Sequence, residues 1–151
     1  MYFRAIYAIL LLIILDRSSE SSSMTSLKTK PPIKLLLVDD YEMILTGLRI
    51  RFGIEPDINV VGIATDGPTA VQQAELLQPD VIVMDVMMPY MNGITAAQLM
   101  NKVAPSSAIV LMSLMDSEQI QQQAHDAGVS AFICKQGRTD LLLSAIRNAA
   151  A

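Results

Sequence analysis

The chain has 151 residues, 52% apolar and 17% charged, which suits a single folded domain and excludes a disordered polymer. Eleven Lys and Arg against 15 Asp and Glu leave a net charge of −4, which argues against a general nucleic-acid binder, since that needs basic clusters to neutralise phosphates. One cysteine excludes a disulfide framework and a thiolate zinc site, and one histidine excludes a multi-histidine metal centre.

The N-terminus differs from the rest. Ala5 to Leu15 is an unbroken apolar run preceded by Arg4 and followed by Asp16, Arg17 and the Ser-rich stretch Ser18 to Ser23. The run falls short of the ~20 residues a membrane span requires. It fits the apolar core of a signal peptide or anchor, or an upstream extension with Met24 as the working start. Residues 1–32 are therefore expected to lie outside the fold, the last part a polar linker closed by Pro31-Pro32.

From Ile33 onward short apolar runs alternate with amphipathic stretches. The runs are Ile33–Val38, Ile58–Ile63, Val81–Met84, Ala108–Met112 and Ala131–Cys134. Three of them (35–38, 81–84 and 108–112) are continuously apolar, the pattern of strands buried on both faces. Between them, Ile44, Leu45, Leu48 and Phe52 share one helical face. A second helix is predicted from Gly67-Pro68, where proline suits the first turn, to Gln78-Pro79. A third covers about Gly93 to Lys102 and stops before Pro105. A fourth starts at Asp116, with Gln119 completing a capping box, and ends at Gly128. The last covers about Thr139 to Ala149. Five strand–helix units of this length predict a doubly wound α/β fold of the flavodoxin-like kind. Its five-stranded parallel sheet carries helices on both faces.

Sites in such sheets form at the carboxyl ends of strands, where the strand order switches. With the order 2-1-3-4-5, Asp39 and Asp40 after the first strand converge with Asp85 after the third. Ser113 and Lys135 follow the fourth and fifth strands and join the same rim. Clustered carboxylates raise one another's pKa and call for positive charge. Lys135 supplies one charge, and Mg²⁺, which takes one or two carboxylates plus phosphate oxygens, is the natural second. A lysine, a hydroxyl and a carboxylate-held Mg²⁺ cradle a phosphoryl group in transfer, with one carboxylate as nucleophile.

Four segments carry a family resemblance: Val38-Asp39-Asp40; Met84-Asp85-Val86-Met87-Met88-Pro89-Tyr90-Met91-Asn92-Gly93; Leu111-Met112-Ser113; and Phe132-Ile133-Cys134-Lys135. Over about residues 33–149 the chain resembles the receiver domain of two-component response regulators, which implies the CheY-like version of this fold. Leu48, Val60-Val61-Gly62 and Ala127 to Phe132 look most like the NarL/FixJ subfamily. The resemblance implies a phosphorelay signalling module rather than a turnover enzyme. Asp85 matches the phosphoacceptor that takes a phosphoryl group from a sensor histidine kinase or phosphotransfer protein. Asp40, Asp85 and the Met87 backbone carbonyl match the Mg²⁺ ligands, and Asp39 the acidic neighbour acting through water. Ser113 matches the hydroxyl and Lys135 the lysine that follow the phosphoryl group. Phe132 matches an aromatic switch residue coupled to Ser113. Phosphorylation in the family shifts a balance between two conformations and so changes affinity for a partner, including a second copy in a homodimer.

Some positions depart from the family pattern. Gln136 stands where a cis proline is common, so a cis bond is not expected there. Leu114 is bulky where small residues are common, and is expected to narrow access to the phosphoryl group. Met87 and Met115 stand where polar residues often tune hydrolysis, which predicts slow self-dephosphorylation. Two alternatives compete with the receiver reading. One is a phosphorylation-independent pseudo-receiver. The other is a haloacid-dehalogenase-type Mg²⁺ phosphatase, which needs an acid where Met87 stands. Cys134 is expected buried, His125 exposed, and Met84, Met87, Met88 and Met91 to fill core and loop. The chain closes on Ala149-Ala150-Ala151, so no output domain and no direct nucleic-acid binding are expected of it. A kinase-fed receiver implies the cytoplasm, with membrane contact only if residues 1–15 are retained.

Overall fold

The computed structural model describes residues 10–11, 30–136 and 139–151. Apart from Leu10 and Leu11, the apolar run Ala5–Leu15 and the Ser-rich stretch lie outside the described residues. Among the described residues no helix is long and apolar enough to cross a membrane.

The strands are β1 (Ile33–Val38), β2 (Ile58–Ala64), β3 (Val81–Asp85), β4 (Ala108–Ser113) and β5 (Ala131–Cys134). The helices are α1 (Glu42–Gly53), α2 (Gly67–Leu77), α3 (Gly93–Val103), α4 (Glu118–Asp126) and α5 (Thr139–Ala149). All strands pair in parallel in the expected order β2-β1-β3-β4-β5. The register explains the unbroken apolar runs, because β3 lies between β1 and β4 and every one of its residues is buried. Alternate side chains go to opposite faces. Leu35, Leu37, Val81, Val83, Val110 and Met112 meet α1 and α5. Leu36, Val38, Ile82, Met84, Ile109 and Leu111 meet α2, α3 and α4. The second face is built close, with Ala70, Ala74, Ala96 and Ala97 all fully buried.

β1 and β2 slip register between Leu35 and Leu36. Just past that bulge Gly62 leaves room for α2, since a Cβ there would lie 2.6 Å from the Gln73 side-chain oxygen and 2.8 Å from Leu77 Cδ1. The α2 helix begins where proline predicted it, with the Asp66 carboxylate accepting from the Thr69 N–H at 2.8 Å. It ends at Gln78 in the left-handed region, φ 45°. The Gln78 amide donates to the carbonyls of Glu75 at 2.9 Å and Val103 at 3.0 Å, tying the far ends of α2 and α3 together.

The start of α4 corrects the sequence reading. Its N-cap is Ser117 rather than Asp116, the Ser117 hydroxyl accepting from the Ile120 N–H at 3.3 Å. The Asp116 carboxylate instead accepts from the Gln121 side-chain amide, so the Asp116–Gln119 capping box does not form. Cys134 is half-buried rather than buried, because β5 is an edge strand that pairs, among the described residues, with β4 alone. Met87 is 56% exposed and fills no core, while Met84 is fully buried and Met88 and Met91 pack against the α2–α4 face. His125 is exposed, as expected.

Candidate functional site

The carboxyl ends of β1, β3, β4 and β5 meet on one rim. Strand pairing sets Asp85 beside Met112, one residue before Ser113, and sets Ser113 beside Cys134, one residue before Lys135. The crossover from β1 to β3 brings Asp39 and Asp40 alongside Asp85, with carboxylate oxygens from all three within 4.8 Å of one another. The segments predicted to converge do so.

Each acidic side chain is held differently. Asp39 is fully buried, with one oxygen accepting from the Tyr41 N–H at 2.9 Å and the other from the Lys135 ammonium at 2.6 Å. Asp85 is 3% exposed. Its Oδ1 accepts from the Met87 N–H at 3.2 Å and its Oδ2 lies 3.3 Å from the Lys135 ammonium. Asp40 is half-buried, and its Oδ1 is shut off from solvent without a hydrogen-bond partner. A buried carboxylate oxygen left unpaired costs free energy unless a donor or cation meets it. The donor set of clustered carboxylates with one such oxygen therefore fits a hard divalent cation such as Mg²⁺.

Burial dominates the electrostatics. Asp85 is pushed up to about 6 mainly by desolvation, with Lys135 opposing and the Asp39 charge adding. Asp39 is raised for the same first reason, against the pull of Lys135. Burial alone would lower Lys135, but Asp39 and Asp85 together outweigh it and raise the ammonium, which stays charged. Mutual repulsion of the carboxylates is the cause that clustering alone would predict. It is the smaller cause here, because the strand ends carry these groups into the sheet.

Ser113 is fully buried and its Oγ accepts from the Met115 N–H at 3.0 Å. Its carbonyl accepts from the Lys135 N–H at 2.8 Å, which fixes the β4 and β5 ends relative to each other. Phe132 pairs with Leu111, two rungs below the Ser113–Cys134 pair, and packs half-buried on the α2–α4 face. Leu114 packs against the α1–α5 cluster, so its bulk serves the core.

Gly93, the start of the predicted third helix and the last residue of the Met84–Gly93 segment, also makes a close approach that the sequence does not state. A Cβ there would stand 2.2 Å from the Asp85 carbonyl oxygen, and the Gly93 N–H donates to the Val86 carbonyl at 2.8 Å. The first turn of α3 is thus pressed against the backbone that carries Asp85. The only signal in the sequence was the glycine eight residues after the aspartate.

Comparison with known proteins agrees with this geometry. The sequence model of the response regulator receiver domain matches residues 35–147. The chain belongs to this family. It is 34% identical over 125 residues to the nitrate/nitrite response regulator protein NarL of Escherichia coli strain K12, covering 83% of this chain and 58% of that protein. It superposes on the signal receiver domain of the response regulator NarL from Mycobacterium tuberculosis with a TM-score of 0.76 at 26% identity, covering 80% of this chain and 98% of that one. The response regulator domain of Thermotoga maritima CheB gives a TM-score of 0.73 at 35% identity, covering 79% and 96%. The receiver is therefore of the NarL type with a CheY-like fold, and the chain spans less than three fifths of the length of the curated relatives it matches.

Proposed function

We propose that residues 33–149 act as a phosphoacceptor receiver, taking a phosphoryl group from the phosphohistidine of a sensor histidine kinase or phosphotransfer protein onto Asp85. The observation that carries this reading is the Asp85 carboxylate itself. It is buried, held by the Met87 N–H at 3.2 Å, and faced by the Lys135 ammonium at 3.3 Å. An Asp85 oxygen attacks phosphorus as the donor's phosphorus–nitrogen bond breaks, and the bonding pair stays on the imidazole. Lys135 pairs with a phosphoryl oxygen, and the Ser113 hydroxyl hydrogen-bonds to another. Asp40, Asp85 and the Met87 carbonyl would hold Mg²⁺, with Asp39 reaching it through a water. When bound, the cation supplies positive charge to the phosphoryl oxygens.

Phe132 serves as the aromatic that responds to Ser113, and the altered surface changes affinity for a partner protein or for a second copy of the chain. The module works in the cytoplasm, where the donor kinase presents its histidine, and acts through protein contacts. Self-dephosphorylation is slow, because neither the Met87 nor the Met115 side chain can orient a water. A phosphoryl half-life of seconds in the purified protein would contradict that.

The deciding experiment adds beryllofluoride or a small phosphodonor to wild type and Asp85→Asn, with and without Mg²⁺. Modification that needs Mg²⁺ and disappears in the variant is expected. Equal response in both proteins would remove Asp85 from this role and leave the phosphorylation-independent reading.

A further inference from the structure

The described residues include eight methionines, of which Met88 and Met91 are half-buried and the other six fall at the two extremes of exposure. Met84, Met100 and Met112 are at most 4% exposed, while Met43, Met87 and Met115 are 44%, 56% and 55% exposed. The three exposed ones all follow strand ends on the Asp85 rim: Met43 after β1, Met87 after β3 and Met115 after β4. Two of them are joined to the reacting groups by their own backbone. The Met87 N–H donates to Asp85 Oδ1, and the Met115 N–H to Ser113 Oγ. Met87 and Met115 thus stand two residues beyond the phosphoacceptor and its hydroxyl and are open to solvent, whereas Met84 and Met112, one residue before each, are enclosed.

We propose that Met87 and Met115 form an oxidation site through which a peroxide sets how long Asp85 stays phosphorylated. This rests on Asp85 being the phosphoacceptor. The Sδ atom attacks one oxygen of hydrogen peroxide, the sulfur–oxygen bond forms and the oxygen–oxygen bond breaks. The second oxygen leaves as water with both protons, so sulfur gives up two electrons and the peroxide takes them. The product is a methionine sulfoxide. A thioether is a weak acceptor, whereas the sulfoxide oxygen is strongly polar and accepts hydrogen bonds from water. Placed beside Asp85 and Ser113, it can hold a water near the acyl phosphate, which the unoxidised side chains cannot do. The burial pattern lets this happen without unfolding. Oxidation of Met84, Met100 or Met112 would put a polar group into the core, but these three are enclosed.

The test loads the full chain with a small phosphodonor and Mg²⁺, before and after mild hydrogen peroxide, and follows loss of the phosphoryl group from Asp85. Peptide mass mapping reports which methionines gained oxygen. Oxygen is expected on Met87 and Met115 well before Met84, Met100 and Met112. The phosphoryl lifetime should shorten about threefold or more, the rate equivalent of one modest hydrogen bond gained in the transition state. Treatment with methionine sulfoxide reductases should restore it. Each variant is compared with itself: Met115→Leu should lose part of the peroxide effect, and Met87→Leu with Met115→Leu all of it. An unchanged lifetime with both sulfoxides formed overturns the inference. So does the full effect persisting in the double variant, or core methionines oxidising as early as the rim. A protein that loads normally but ignores oxidation overturns only this inference. One that never loads on Asp85 overturns the receiver reading beneath it as well.

Discussion

Replacing Asp85 by Asn is expected to stabilise the metal-free protein at neutral pH and to flatten its pH dependence. In the folded chain the Asp85 carboxyl is pushed up to about 6 from 3.8, chiefly by burial. A folded-state pKa above the unfolded one means the folded protein holds the proton more tightly. The group's stabilising contribution is therefore complete below about pH 4 and lost as pH rises through about 6. At ~1.36 kcal/mol per unit, the shift is worth about 3 kcal/mol against the folded state at pH 7. Asn removes the buried charge and can still accept from the Met87 N–H, but it loses a charge facing Lys135. Lys135 then keeps Asp39 alone, at 2.6 Å. The shift to about 6 already contains the Lys135 attraction, so the net gain expected at pH 7 is ~1–2 kcal/mol, the remainder being lost where the Asn amide cannot reproduce the hydrogen bonding of the protonated carboxyl. Urea unfolding of both proteins in chelator, from about pH 5 to pH 8, measures it, and the variant's advantage should widen with pH. Mg²⁺ should then stabilise the wild type more than the variant and narrow the gap. An Asn variant less stable than wild type at pH 7 without metal, or a difference that does not grow with pH, would refute the reasoning.

Contacts of Gly93 and Arg147 fix two further outcomes. Gly93→Ala places a Cβ 2.2 Å from the Asp85 carbonyl oxygen, so it should cost ~1–3 kcal/mol in denaturant unfolding and weaken Mg²⁺ in a titration. Unchanged stability and metal affinity together would show that α3 does not brace Asp85. Arg147→Ala removes hydrogen bonds to Asp57 at 2.7 and 2.9 Å and to Glu55 at 2.8 Å. Because the arginine side chain is 42% exposed, the loss should stay below about 1 kcal/mol and shrink with added salt. A salt-independent cost of several kcal/mol would contradict this surface assignment.

The strands were legible because central parallel strands, buried on both faces, cannot hide their composition. Leu35 to Val38 and Val81 to Met84 announce themselves. The meeting of Asp39, Asp40, Asp85, Ser113 and Lys135 was legible too, since each lies at a strand's carboxyl end or within two residues of it and the sheet order then fixes its neighbours. Distances within the rim were not. Nothing in the residue order says that the Lys135 ammonium sits nearer Asp39 than Asp85, or that burial outweighs like charge in raising the carboxyls. Local competition defeated the start of α4, where the adjacent Asp116 and Ser117 are both good caps and the tertiary setting chose the serine. The pairing of Arg147 with Asp57 spans 90 residues and joins the end of α5 to the residue before β2, which periodicity does not encode.

Lys135 has one ammonium and two carboxylates asking for it. Asp39, the nearer claimant, uses its other oxygen to grip the amide of Tyr41, the residue that opens α1. The arrangement is a balance beam with its pivot on β5. Whatever draws the ammonium toward one arm lightens the other, and a helix start rests on that second arm.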